Sequence, residues 1–299
     1  VHSAMATAYA KRICPNLTVV PGRMSHYKEI SSQIREIFRR FTDIIEPLSL
    51  DEAFLDVSAS NHRQGSATLI AEDIRSAIQN ELGLTASAGV APNKFIAKIC
   101  SDLNKPDVQY VVTPDGVDNF VSELPLVKIP GVGKVTVKRL EDMGLQTCAD
   151  IRNLGEEETV RRLGSLGVLL NKRARGIDDR PLTTSWVRKS VSVERTFPQD
   201  ITEVEAVREP LAALFEELTK RMDAHADRRV KNLQIKLKFA DFTQATMERS
   251  AAALDLNLYH ELLPLAWERG DGQGIRLLGL GVSFRDDDGI AEEHQMKLF

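Results

Sequence analysis

The stretch DIIEPLSLDEAFLDVS, residues 43–58, holds two short apolar runs that meet at Leu50-Asp51-Glu52. That pattern predicts two extended segments joined at a bend. On a regular strand neighbouring side chains point to opposite faces, so Asp51 and Glu52 address one site only if the chain bends or bulges there. Leu48, Leu50, Phe54, Leu55 and Val57 would anchor such a bend in a core. Two carboxylates held in this way suit a hard cation such as Mg²⁺, which takes oxygen ligands together with substrate phosphates. An Asp-Glu pair met alone is more often a solvated turn, so its flanks decide. Asp56, further along the second run, is read as structural rather than as a ligand.

Upstream, Ile30, Ile34, Ile37, Phe38 and Phe41 share one face of a helix over 28–41. Downstream, Ile70, Ile74 and Ile78 recur at intervals of four in a helix over about 66–81. LTASAGVA (84–91) is expected to be a tightly packed strand, and Pro92 to open a helix holding Phe95, Ile96, Ile99 and Leu103. Gln109 to Thr113 returns as a strand, and alternation of strand and helix implies an α/β layer through about residue 114. From 115 to 180 the pattern is all helical, marked by the turns PGVGK, DMGLQT and GSLG. A polar linker, LTTSWVRK, follows Arg180-Pro181. Beyond it the order is strand (190–197), helix (204–225), strand (231–240), strand (243–250), helix (255–268) and strand (275–284), a ferredoxin-like β-α-β-β-α-β module. The fold class expected is therefore α+β and multidomain, ending in an acidic tail, DDDGIAEEHQMKLF.

Composition narrows the class of protein. The 299 residues contain no run of about 18 apolar residues, which excludes a membrane-spanning helix. The opening Val1-His2-Ser3-Ala4-Met5 has no basic segment leading into an apolar one, so it is not read as a signal peptide, and it lacks an initiator Met. Cys14, Cys100 and Cys148 are widely spaced, which argues against a disulfide framework or a zinc site and points to reduced cytoplasm. The net charge of −4 does not mark a nucleic-acid binder, but DNA responds to local fields. Residues 128–180 carry 11 Lys and Arg against 8 Asp and Glu, a modest positive island.

Within that island, Ile129-Pro130-Gly131-Val132-Gly133-Lys134 is a helix–hairpin–helix signature. Glycines permit a tight turn whose backbone N–H groups, beside a helix N-terminus, face a phosphate. Such contacts grip DNA without reading its sequence. Lys134 and Lys138, one helical turn apart, would add electrostatic hold; Gly164-Ser165-Leu166-Gly167, with Lys172 and Arg173 downstream, is a weaker second candidate. In the last module Ile235, Leu237 and Phe239 alternate with Lys236 and Lys238, placing the two lysines on an outer sheet face that can lie along a duplex backbone. Solvated lysines on an ordinary strand are the bland alternative.

Several long segments in register resemble one family. SLDEAFLDV resembles the palm motif of Y-family translesion DNA polymerases of the bacterial polymerase IV type, ASAGVAPNKFIAKICSDLNKP the next palm segment, and LPLVKIPGVGKVTVKRLEDMGLQTCADI the thumb. The resemblance implies a remnant of the fingers over 1–21, a palm over 22–114, a helix–hairpin–helix thumb over 115–180 and a linker over 181–189. A DNA-binding little finger over 190–285 and a tail over 286–299 would follow. It further implies two-metal nucleotidyl transfer with two Mg²⁺ ions, Asp51 bridging both and Glu52 holding the one beside the primer terminus. Lys105, in Asn104-Lys105-Pro106, matches the lysine that neutralises the incoming deoxynucleoside triphosphate. The little-finger sheet would meet primer–template DNA, with Arg188, Lys189 and Arg195 near its entrance.

Gln295-Met296-Lys297-Leu298-Phe299 resembles the motif by which bacterial polymerases bind the β sliding clamp, Leu298 and Phe299 filling an apolar pocket and Gln295 anchoring by polar contacts. A monomer is expected. The departure from the family pattern lies at the start: no counterpart is found for its first strand, with a further metal-binding aspartate and an aromatic steric gate, nor for the Tyr and Arg of the fingers. Activity is therefore expected to be impaired, and the middle of the palm sheet to have unpaired edges. A non-catalytic DNA- and clamp-binding fragment is the competing expectation, and a helix–hairpin–helix nuclease or glycosylase a third.

Overall fold

The structure, a computed structural model, describes residues 1–285; Gln295, Met296, Leu298 and Phe299 of the clamp-like tail lie outside the described residues. The chain forms two compact units, Val1–Ser185 and Trp186–Phe299. In the first, α1 (Thr7–Ile13) precedes α2 (Met24–Arg39), then a hairpin of β1 (Ile45–Pro47) and β2 (Ala53–Leu55). α3 (Ala67–Leu82), β3 (Ala88–Val90), α4 (Lys94–Asp102) and β4 (Gln109–Val111) complete the α/β part. The helical part comprises α5 (Val117–Ser122), α6 (Lys134–Asp142), α7 (Cys148–Leu154), α8 (Glu156–Leu163) and α9 (Ser165–Ala174).

The isoleucines read from the sequence do form a core. Ile37 of α2 meets Ile70, Ile74 and Ile78 of α3, with Leu55 and Val57 packed against them. Pro92 does not open α4 as expected. Asn93 caps that helix, its side chain accepting from the Ile96 N–H at 3.1 Å, because an amide oxygen satisfies an orphan donor that proline cannot. Leu103 falls just past the helix end. Strand β3 is shorter than 84–91, covering only the residues that pair with β4 in parallel. Gly89 there is obligatory for a packing reason: a Cβ at this position would sit 2.1 Å from the Ala97 carbonyl oxygen and 2.6 Å from the Ser101 nitrogen. The absent side chain lets α4 lie directly on β3. On its other side α4 turns Phe95, Ile96, Ile99 and Cys100 into the core of the helical part, with Leu126, Ile129, Leu140, Ile151 and Leu170. The three cysteines are free.

Among the described residues the α/β part holds two separate two-stranded sheets, β1–β2 antiparallel and β3–β4 parallel. β2 and β3 therefore each pair on one side only, and both line a single cavity of about 600 Å³ walled by Ile34, Phe38, Ile70 and Ile74.

The second unit follows the β-α-β-β-α-β order: β5 (Ser190–Ile201), α10 (Arg208–Met222), β6 (Val230–Phe239), β7 (Gln244–Ser250), α11 (Leu256–Trp267) and β8 (Ile275–Phe284). The helix expected over 204–225 is divided, with 3₁₀ turns at Val204–Val207 and Asp223–His225 flanking α10. Pro210, in the first turn of α10, supplies no N–H to an earlier carbonyl, so the regular helix starts beside it. β5 runs beyond 197 as an edge strand whose register shifts between Thr196 and Ile201, and Pro198 sits in that irregular stretch. The sheet order is β5–β8–β6–β7, antiparallel throughout, so each β-α-β unit is split by one inserted strand. Leu211, Leu214 and Leu218 of α10 and Tyr259, Leu262 and Leu263 of α11 cover one face, packing on Val193, Leu233, Ile235, Leu237, Leu278 and Leu280. Among the described residues of this unit no helix packs on the other face.

Candidate active site and nucleic-acid-binding surfaces

The hairpin loop between β1 and β2 is the bend expected from the sequence. The Leu48 N–H donates to the Glu52 carbonyl at 2.9 Å, closing the loop so that Asp51 and Glu52 lie at its turn. The Ser49 hydroxyl donates to an Asp51 carboxylate oxygen at 2.6 Å and orients it. Glu52 accepts from the Lys98 ammonium of α4 at 2.9 Å. Lys98 also meets Asp102 at 3.3 Å, and Asp102 meets Lys105 at 2.7 Å. These contacts form a chain of alternating charge, Glu52–Lys98–Asp102–Lys105, and Asp51, Glu52, Lys98 and Lys105 line the cavity. Burial pushes the Asp102 carboxyl up, but hydrogen bonds from Lys105 and Lys98 outweigh that and hold it below the usual aspartate value.

Lys105 owes its position to α3. Arg75 donates to the Ala86 carbonyl at 2.7 Å and to the Asp107 carbonyl and carboxylate at 2.8 and 2.7 Å, tying down the turn that carries Lys105. Sequence reading missed Lys98, Asp102 and Arg75. The i, i+4 spacing of Lys98 and Asp102 was the available signal for the first two; nothing local marks Arg75. Asp56 bonds within its own turn, accepting from the Ser58 N–H at 2.9 Å.

The donor set at the bend can be weighed against a metal. Two carboxylates with a phosphate-bearing substrate suit a single Mg²⁺, which dehydrates reluctantly and needs few protein ligands. Among the described residues no group of three or more His, Cys, Asp or Glu side chains gathers to hold an ion by itself. The site therefore fits an ion shared with substrate, and a second ion calls for a further acid.

In the helical part, Gly131 adopts φ 93°, the left-handed region, and Gly133 precedes the first residue of α6, which no side chain caps. Lys134 and Lys138 are exposed on α6. The second glycine signal has a packing origin: a Cβ on Gly167 would lie 2.4 Å from the Thr159 carbonyl oxygen where α8 meets α9. Arg173 is buried and paired with Asp178 at 3.0 Å, so it offers nothing to DNA.

In the second unit Lys236 and Lys238 share the helix-free sheet face, Lys236 paired with Glu194 of β5 at 3.0 Å. Arg188 and Lys189 are exposed just before β5. Arg195 departs from the expected group. It has the parity of Val191 and Val193 and lies 3.9 Å from Glu217 of α10, on the helix-covered side. No helix among the described residues is long and apolar enough to cross a membrane.

Comparison with known proteins agrees with this architecture. Residues 1–102 match the impB/mucB/samB family, 188–297 its C-terminal domain, and 127–178 the thumb domain of DNA polymerase iota. Of solved structures, a Y-family polymerase chimera of Dbh and Dpo4 superposes with a TM-score of 0.85 at 26% identity, covering 95% of this chain and 83% of that one. An insertion ternary complex of Dbh DNA polymerase gives 0.61 at 25% identity, with 95% and 83% covered. The chain belongs to the Y family of DNA polymerases, DNA-directed enzymes of translesion synthesis. Within it the similarity is to DNA polymerase IV: that of Shewanella oneidensis is 53% identical, covering 98% of this chain and 82% of the relative, and that of Shewanella halifaxensis 51% over the same shares.

Proposed function

We propose that this chain transfers nucleotides to a primer 3′-hydroxyl at the cavity between β2 and β3, with Asp51 and Glu52 as metal ligands and Lys105 meeting the triphosphate. The observation that carries this reading is the convergence of Asp51, Glu52, Lys98 and Lys105 on that one cavity. Bound Mg²⁺ supplies charge stabilisation for the attacking and leaving oxygens. Asp51 and Glu52 are the residues that would hold the metal in the arrangement the family resemblance implies. Lys105 is half exposed and its ammonium pairs with Asp102, so an incoming triphosphate displaces a surface ion pair worth about 0–1 kcal/mol. Lys98 pairs with Asp102 as well as with Glu52, so it would keep a partner were Glu52 to serve as a metal ligand.

Primer–template DNA would lie against Gly131, Gly133, Lys134 and Lys138 of the helix–hairpin–helix, and against Arg188, Lys189, Lys236 and Lys238 of the second unit. Both sets grip backbone phosphate, which suits an enzyme that copies any sequence. The enzyme would act as a cytoplasmic monomer tethered to the β sliding clamp through Gln295, Met296, Leu298 and Phe299, a tether that raises effective concentration at the primer end.

A primer-extension assay tests the reading. Incorporation of the templated deoxynucleotide by this chain in the presence of Mg²⁺, even at a low rate, is the expected result. Tight DNA retention with no incorporation at saturating triphosphate would reduce the chain to a binding module.

The two hairpin glycines make a second test. Gly131→Ala places a side chain in a left-handed conformation and is expected to cost about 1–2 kcal/mol of stability. A Cβ on Gly133 meets no protein atom within 4 Å, so Gly133→Ala should leave stability within about 0.5 kcal/mol while weakening DNA binding, because the new methyl group faces the approaching phosphate. Thermal melts and fluorescence anisotropy separate the two. Unchanged anisotropy for Gly133→Ala removes the hairpin from the DNA interface.

A further inference from the structure

A second cluster of charge lies apart from the carboxylate bend. Glu46 of β1 and Lys94, the first residue of α4, form an ion pair at 2.7 Å with side chains only 15% and 8% exposed. Both also hold the last stretch of the first unit. The Glu46 carboxylate accepts from the Thr183 N–H at 2.8 Å, and the Lys94 ammonium donates to the Pro181 carbonyl at 2.8 Å. Asn93 adds a bond to the Gly176 carbonyl at 2.8 Å. Between these anchors Asp178, its carboxylate fully buried, pairs with Arg173 at 3.0 Å and Arg180 at 2.7 Å. Residues 176–183 are thus strapped to β1 and α4 by polar contacts rather than by an apolar face.

A buried ion pair gains little net stability, since desolvation offsets most of its attraction. Its geometry is specific, however, and here it specifies where the chain leaves the first unit. We propose that Glu46 and Lys94 are positioning residues that clamp the strap and so shorten the tether to the second unit. From Thr183 to Ser190 the free chain spans at most about 25 Å; released back to Asp178, which stays paired with Arg173, it would span about 43 Å. Effective concentration falls as roughly the −3/2 power of tether length, so this lengthening lowers it about twofold. The consequence for DNA rests on the polymerase reading above; the clamping of the strap does not. Burial pushes the Glu46 carboxyl up, but Lys94, the Thr183 N–H and Arg180 together hold it below the usual value, so Glu46 stays ionised at neutral pH.

The test uses the full chain with Glu46→Gln and Lys94→Met together, which removes both charges and leaves neither buried alone. Limited digestion with proteinase K, mapped by mass, should cut within 176–185 at least about tenfold faster than in the unaltered protein. In primer extension KM for primer–template should rise about twofold with kcat unmoved, and Lys94→Arg alone, which keeps a cation beside Glu46, should keep the protected pattern. Should the double variant not fold, Thr183→Pro removes the N–H that Glu46 accepts while leaving the ion pair in place, and should likewise speed cleavage within 176–185. A folded variant whose strap is cut no faster than before overturns the proposal, as does a fall in kcat with KM unmoved. If the unaltered protein incorporates nothing, the polymerase reading fails, and digestion still decides the clamp.

Discussion

Asp51→Asn or Glu52→Gln is expected to cut nucleotide incorporation at least about 10³-fold, with the dissociation constant for primer–template within about twofold. Both substitutions are isosteric and sit in an exposed loop, so the hairpin remains: the amide oxygen that replaces the Asp51 carboxylate can still accept from the Ser49 hydroxyl, and the backbone bond from Leu48 to Glu52 is untouched. What disappears is negative charge at the atoms that meet the ion. A 10³-fold loss corresponds to about 4 kcal/mol of transition-state stabilisation, within the several kcal/mol a metal contributes to a phosphoryl transfer. The two acids act on one centre, so the double variant should be no slower than the worse single one. DNA binding is spared because the grip proposed for the helix–hairpin–helix and the second unit does not involve these side chains. Incorporation above a tenth of the original rate in either variant would falsify the assignment.

Gly89→Ala is expected to produce the largest loss of stability of any single methyl group added to the α/β part. The new Cβ would have to occupy space 2.1 Å from a backbone oxygen and 2.6 Å from a backbone nitrogen of α4, neither of which can rotate away. Relief requires α4 to shift off β3, and α4 is packed on its far side into the core of the helical part. Overpacking of this kind costs about 3 kcal/mol, which in a unit of this size lowers the melting temperature by about 6–12 °C. The same shift moves Lys98 away from Glu52, so activity should fall even below the melting temperature. A variant that melts within about 2 °C of the parent, on the scale of about 1 kcal/mol, would show that α4 and β3 are not held so closely.

The type and order of most elements were legible along the chain. Ile70, Ile74 and Ile78 announce a helix because their spacing matches the helical repeat, and they form its buried face. The alternation of Ile235, Leu237 and Phe239 with Lys236 and Lys238 sorts β6 into a core face and an open face in the same way. The bend at Asp51 and Glu52 was legible because apolar runs on both sides leave the acids nowhere to go but a loop. Where local reading went astray, short-range chemistry that periodicity ignores was responsible: Asn93 rather than Pro92 begins α4, and Pro210 divides the helix expected over 204–225.

Hydrophobic spacing and turn residues act within a few positions of one another, so the elements, their order and the place of the carboxylate bend could be read along the chain. Tertiary structure alone decided what those elements meet. It brought Lys98 to Glu52 across 46 positions and the Thr183 N–H to Glu46 across 137, sent Arg195 to the helix-covered side of its sheet, and inserted β8 between β5 and β6. Such pairings depend on strand register and on which helix faces share a core, and those are settled only when distant segments compete to bury the same apolar surface.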